Sequence, residues 1–290
     1  MLEFIFKVGE SVFEVLLSYS FMQRAFFAGI LVGVVAPVIG VFLVLRRLSL
    51  IADALSHVTL TGIAAGMLWN KWNPGMMVNP VASGMAMSVF GALMIENLRK
   101  AYRHYQELAI PIILAAGIGL GVVLISLADG FNSDLFGYLF GSVVAVTASD
   151  VWLISIVTVI VLLMTVVVYK EMLYLTFDEE GAQLAGIRVK ILNGLFILLI
   201  ALVIAVGMRV VGTLLISSMI TLPVAASLQV ARSFKQTFVY AILFAQIAII
   251  GGIVLAFYLN WATGGTIVLI AIAILLIAIA YKRLIRKEEN

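Results

Sequence analysis

Residues 48–69, LSLIADALSHVTLTGIAAGMLW, are an apolar run interrupted by two ionisable side chains, Asp53 and His57. Four residues apart on a helix, a carboxylate and an imidazole share one face about a turn apart, which makes them a chelating pair. Ionisable groups inside an apolar span cost several kcal/mol to insert, roughly 2.5–3.5 on insertion scales, so they face a bundle interior or a wet cavity and mark a pathway. Ser56, Thr59, Thr61, Gly62 and Gly66 supply the small and polar positions on which membrane helices pack closely. The stretch therefore predicts a helix lining a route for a divalent metal ion. The plainer alternative is an internal hydrogen-bonded pair that satisfies itself within the bundle.

The chain around this stretch has 290 residues, of which 64% are hydrophobic and only 11% charged, the composition of a polytopic membrane protein. Apolar segments recur from Phe27 to Tyr281 with short polar gaps, so residues 1–290 read as one transmembrane domain with no soluble domain. The net charge of +3 comes from Lys and Arg between spans and marks topology, giving no reason to propose nucleic-acid binding. Cysteine is absent, so thiolate ligation and disulfides are excluded, and a metal site must use imidazole, carboxylate, amide, hydroxyl or thioether groups. Residues 1–22 lack the pattern of a cleavable signal and read as an interfacial amphipathic helix.

Basic residues set the orientation. A first span, Phe27 to Leu45 with Pro37 inside it, ends at Arg46 and Arg47, which the positive-inside rule places in the cytoplasm. The Asp53/His57 helix then runs outward to Trp69 and Trp72, a third span (81–98) returns to Arg99, Lys100 and Arg103, and a fourth (108–128) goes back out. His104, beside Arg103, reads as a solvated loop residue. The uncharged part of the next segment, LFGYLFGSVVAVTAS, is too short for the roughly 20 residues of a full crossing, so it reads as an interfacial or re-entrant helix on the outside. Spans at 151–169, 191–208, 210–230, 238–259 and 267–281 follow, about nine in all, with the C-terminus cytoplasmic. Arg209 falls off the basic side. Residues 170–190, rich in mixed charge, form a cytoplasmic loop in which Phe177, Leu184 and Ile187 share an apolar face; it is either a solvated connector or a docking element.

Other constellations carry less. Asp134 and Asp150 flank the short external segment and could guide a cation, although capping a helix N-terminus is the commoner role for such residues. Ser217, Ser218 and Thr221 lie inside a span, where hydroxyls either bond their own helix or line the path. No GxxxxGK[ST], HExxH, GxSxG or CxxC motif occurs, so neither a nucleotide-binding motor nor an enzyme of familiar design is present. A pair of ligands is too few to hold an ion; two copies meeting on a shared axis would bring two Asp and two His together.

The segment RRLSLIADALSHVTLTGIAAG resembles the hallmark of the permease subunits of bacterial zinc, manganese and iron ABC importers. DLFGYLFGSVVAVTASD, VVGTLLISSMITLPVAAS and FDEEGAQLAGI are similar to further segments of that family, and the resemblance runs from about Arg24 to the C-terminus. It implies an all-α fold like that of the cobalamin and ferric-siderophore importer permeases and a location in the bacterial cytoplasmic membrane. As partners it implies a second permease copy, two ATP-binding cassette ATPase subunits that carry the ATP, and an extracytoplasmic metal-binding protein. By position, Asp53 and His57 match the family's pathway residues, and Asp178, Ala182 and Gly186 match its coupling pattern; the chain lacks the further His that some zinc permeases carry early in the fourth span. YLFGSVVAVTASD looks closer to the zinc branch, so zinc leads and manganese follows as the transported ion. The mechanism implied is ATP-driven alternating access. A proton-coupled secondary transporter, with Asp53 and His57 relaying protons, is the alternative from a different class.

Overall fold

Runs of about 20 apolar residues have one stable conformation in hydrocarbon, the α-helix, because every backbone N–H and C=O must be paired within the segment. The computed structural model describes residues 19–288 apart from 103, 129 and 131, and its helices follow that rule. They are α1 (Ser20–Leu45), α2 (Ser49–Trp72), α3 (Pro80–Ala101), α4 (Ala109–Leu127), α5 (Ser133–Phe140), α6 (Ala148–Val167), α7 (Tyr169–Phe177), α8 (Glu179–Leu184), α9 (Val189–Val211), α10 (Ile216–Val230), α11 (Phe234–Leu259) and α12 (Thr263–Glu288). Among the described residues eight helical stretches are long and apolar enough to cross a membrane, and α10, with 15 residues, is a ninth, shorter one. The interfacial helix expected over residues 1–22 falls largely outside the described residues. Its last residues belong instead to α1, which begins at Ser20, seven residues before the expected span, with Met22 buried and Arg24 bonded back to Ser20 O (3.1 Å) and Ser20 Oγ (3.0 Å).

Helix ends carry the chemistry that the chain supplies locally. α1 passes through Pro37 and ends in a paired turn in which Leu48 N–H donates to Leu43 O (2.9 Å) and Arg47 N–H to Val44 O (3.0 Å). That turn needs a left-handed residue, usually glycine, and Arg47 fills it at φ 57°. Asn79, Asn132, Thr147, Asp178 and Ser233 each cap a following helix by accepting a backbone N–H. The basic residues gather at one end of the bundle: Arg46 Nη2 donates to Asn193 Oδ1 at the start of α9 (2.6 Å), and Lys282 of α12 reaches Gln229 at the end of α10 (3.4 Å). An aromatic cluster closes the same end, with the Phe42 ring edge-on to Tyr169, Phe196, Phe234 and Phe238 at centroid distances of 6.2, 6.3, 5.9 and 5.5 Å.

The structure corrects the expected 210–230 span. α9 runs on to Val211, Gly212 breaks it at φ 95°, and α10 starts only at Ile216. At about 1.5 Å per residue α10 is roughly 22 Å long, short of the hydrocarbon core. The broken backbone is satisfied by the short helix α5: Thr213 N–H donates to Tyr138 O (2.8 Å) and Leu214 N–H to Leu139 O (3.3 Å). α5 itself stops at Gly141, φ 75°, so this helix is shorter than its apolar sequence suggested. Gly141, Gly212 and Gly264 bring three backbones together, since a Cβ on any of them would strike carbonyls of α5 or α9. This glycine contact lets the irregular backbone between α9 and α10 be paired against protein.

Candidate metal pathway site

α2 is wedged between α3 and α4 by small residues. A Cβ on Gly62 would lie 2.6 Å from Ser83 O and 2.9 Å from Gly84 Cα, and one on Gly117 of α4 would lie 3.1 Å from the Val58 backbone nitrogen. Thr61 Oγ1 crosses the second interface to donate to Gly117 O (2.7 Å). These contacts fix the rotation of α2, burying Ile51, Ala52, Ala54 and Leu55. What remains open is a strip with exposed Leu50 at one end, half-buried Asp53 and His57 in the middle, and exposed Ala65 beyond.

Asp53 is met from across the bundle by α10, where Ser217 Oγ donates to Asp53 Oδ1 at 3.4 Å. Of the three hydroxyls singled out in the sequence, Ser217 is the one brought to the pair. Thr221 instead donates to Ser217 O (3.0 Å) and Ser218 O (3.3 Å) of its own helix, and Ser218 is half-buried beside it. A carboxylate that meets a hydroxyl, with an imidazole one turn along the same helix, thus offers oxygen and nitrogen donors without sulfur. Among the described residues no group of three or more His, Cys, Asp or Glu side chains forms a metal cage, so within one chain the site is open.

The two carboxylates that flank the short helix segment have different fates. Asp134 is exposed and lines a cavity of about 620 Å³ at the end of the bundle opposite Arg46, together with Asn70, Tyr138, Ser142, Thr147 and Arg209. It does not cap α5; Asn132 does, accepting Leu135 N–H at 2.9 Å, because the cap is the residue just before the first turn. Asp150 does take part in a cap. Its Oδ2 accepts Thr147 N–H (3.0 Å) while Thr147 Oγ1 accepts Asp150 N–H (3.2 Å), a reciprocal capping box. Asp150 also meets Arg209, whose Nε lies 3.4 Å from Oδ2 and whose guanidinium sits 4.5 Å from the centroid of the Tyr138 ring. Arg209 is a residue that sequence reasoning missed as a site component. Its signal was there: a lone basic residue near a span end on the side without basic clusters needs a partner.

At the basic end, the segment Asp178 to Gly186 is built as a complete small helix. Asp178 Oδ1 accepts Gly181 N–H (2.8 Å), Ala182 is fully buried, and α8 ends in a Schellman turn, with Ile187 N–H donating to Ala182 O (3.0 Å), Gly186 N–H donating to Gln183 O (3.1 Å), and Gly186 at φ 83°. Of the apolar side chains expected to share a face, Ile187 packs on the core and Phe177, although 68% exposed, sets its ring edge-on to Phe234 at 5.7 Å, while Leu184 stays 90% exposed. Nearby, Arg46 rests its guanidinium 5.5 Å from the Phe196 ring centroid; burial pulls its pKa below the ordinary arginine value, opposed by the carboxylate of Glu179.

Residues 18–282 match the model of the ABC 3 transport family. The chain belongs to that family. It is a membrane-embedded permease subunit of an ABC transporter and not itself an enzyme, and the ABC-importer permease fold implied by the sequence is the one observed. The manganese transport system membrane protein MntC of Listeria monocytogenes is 34% identical over 268 residues, 92% of this chain and 93% of that protein. The manganese import system permease protein ScaB of Streptococcus parasanguinis is 31% identical over 272 residues, 94% of each chain. Among solved structures, PsaBC from Streptococcus pneumoniae in complex with Fab superposes with a TM-score of 0.83 at 30% identity, covering 97% of this chain and 99% of that one.

Proposed function

We propose that this permease conducts a divalent transition-metal ion inward, Mn²⁺ first, with Asp53 and His57 as the ligands on its path and Ser217 orienting Asp53. The observation that carries the reading is the half-buried Asp53–Ser217 contact on a helix whose other faces are packed by glycine, with His57 one turn on. An oxygen-rich donor set favours a harder cation, and the relatives named as manganese permeases support manganese over the zinc suggested by the sequence. Zinc remains the second reading because an imidazole suits it equally. Two ligands from one chain bind briefly and release, which suits transport, and a homodimer facing its Asp53/His57 strips together would double the set.

In this reading the basic end is cytoplasmic, and so is the C-terminus. An ATPase dimer docks on the α7–α8 corner through exposed Leu184 of α8 and Phe177 at the end of α7, and Asp178, Ala182 and Gly186 give that corner the stiffness to pass motion into the bundle. An extracytoplasmic binding protein delivers the ion to the cavity lined by Asp134. Alternating access then carries it past Asp53 and His57. The test is reconstitution with the ATPase and binding protein in liposomes, measuring ATP-dependent Mn²⁺ and Zn²⁺ uptake by wild type, Asp53→Asn and His57→Ala. Loss of uptake in both variants with the complex still assembled supports the site; uptake that follows a proton gradient without ATP overturns the reading.

A further inference from the structure

A cavity meant to admit a dication has a guanidinium in its wall. Arg209 lines the outer cavity, and a positive charge there repels the cargo before it reaches Asp53. The arginine is needed mechanically, since it joins three elements: its own helix α9, the Tyr138 ring of α5 and the Asp150 carboxylate of α6. Asp150 is placed differently from the charge it meets. It is 2% exposed and is not part of the cavity lining, and the same oxygen that faces Arg209 is also held by Thr147 Oγ1 at 2.7 Å and Thr147 N–H at 3.0 Å. A carboxylate turned into the protein does not ligate the passing ion; it cancels the arginine.

We infer that Asp150 is a positioning and charge-cancelling residue that keeps the outer cavity passable to a divalent cation while Arg209 locks α5 and α6 to the end of α9. The inference rests on the importer reading above. Its consequence is an asymmetry that a purely structural ion pair lacks. Removing the carboxylate leaves Arg209 uncancelled from behind, in a vestibule whose other charged lining side chain is Asp134, whereas removing both charges leaves Asp134 as the charged group of that wall. A unit charge facing a dication at roughly 10 Å, in a medium between water and a protein surface, gives roughly a tenfold effect, and added salt weakens it.

The experiment uses the full reconstituted complex with Mn²⁺ as probe, at about 20 mM and about 300 mM NaCl, where screening lengths differ by roughly fourfold. Asp150→Asn is expected to lower uptake roughly tenfold at low salt, with the deficit shrinking at high salt, and the double variant Asp150→Asn/Arg209→Met is expected to recover most of the loss. Because Asp150→Asn also removes a cap partner, a second pair leaves the Asp150–Arg209 contact untouched. Ser142→Lys adds an uncancelled cation to the same wall and should show the same salt-relieved loss, while Ser142→Gln should not. A deficit that ignores salt, a double variant no better than Asp150→Asn, or a Ser142→Lys permease as active as Ser142→Gln overturns the inference, and the Ser142 pair decides alone if Asp150→Asn fails to assemble. If wild type itself shows no ATP-dependent uptake, it is the importer reading that fails.

Discussion

Gly62→Ala tests the packing that presents the site. The added methyl on α2 points at α3, 2.6 Å from Ser83 O and 2.9 Å from Gly84 Cα, and backbone atoms cannot rotate away as the tip of a side chain can. The helices must therefore part, and overpacking of this kind costs about 1–3 kcal/mol, with a rigid backbone contact at the upper end. Alanine returns about 1 kcal/mol of helix propensity, leaving a net loss of about 2 kcal/mol. Gly194→Ala in α9 is the control, because a Cβ there meets nothing within 4 Å and its helix has ordinary backbone angles. Thermal unfolding of the purified permease should place Gly62→Ala clearly below wild type and Gly194→Ala at or above it. A Gly62→Ala protein as stable as Gly194→Ala would refute the close α2–α3 contact and with it the rotation assigned to Asp53 and His57.

Other perturbations probe separate links. Ser217→Ala removes the hydroxyl from Asp53 but leaves the carboxylate, so Mn²⁺ uptake should fall severalfold where Asp53→Asn abolishes it; equal uptake in Ser217→Ala and wild type would show that α10 does not tune the site. Asp178→Ala strips the cap from α8 at a local cost of about 1 kcal/mol. The permease should still fold, since the cap is exposed, yet stimulation of the partner ATPase by loaded binding protein should drop. Gly186→Ala puts a side chain at φ 83° and should cost about 1 kcal/mol by strain, with the same loss of stimulation. Arg46→Ala deletes a 2.6 Å charge-assisted bond to Asn193 and the stack on Phe196, a loss of about 1.5–3 kcal/mol that a thermal melt would detect.

The sequence by itself determined what hydrophobicity and local chemistry determine. Apolar length gave the crossings, basic clusters gave a shared end for Arg46, Arg99, Arg232 and Lys282, and the spacing of Asp53 and His57 gave their common face, because a helix repeats every 3.6 residues whatever surrounds it. The α8 turn was legible for the same reason, since Asp178 and Gly186 are local signals. The tertiary structure alone decided what depends on contacts between distant segments. The break at Gly212 was hidden inside an uninterrupted apolar run, because the carbonyls of Tyr138 and Leu139 that satisfy the exposed N–H groups lie more than 70 positions away in the chain. In the same way Ser217 and Thr221 are equivalent in sequence, and only the packing of α10 turns one hydroxyl to Asp53 and the other to its own helix. Asp150 read as a capping residue and is the N3 partner in the Thr147 capping box, but its second partner, Arg209, comes from another helix, and no local pattern encodes which buried charge a carboxylate will meet.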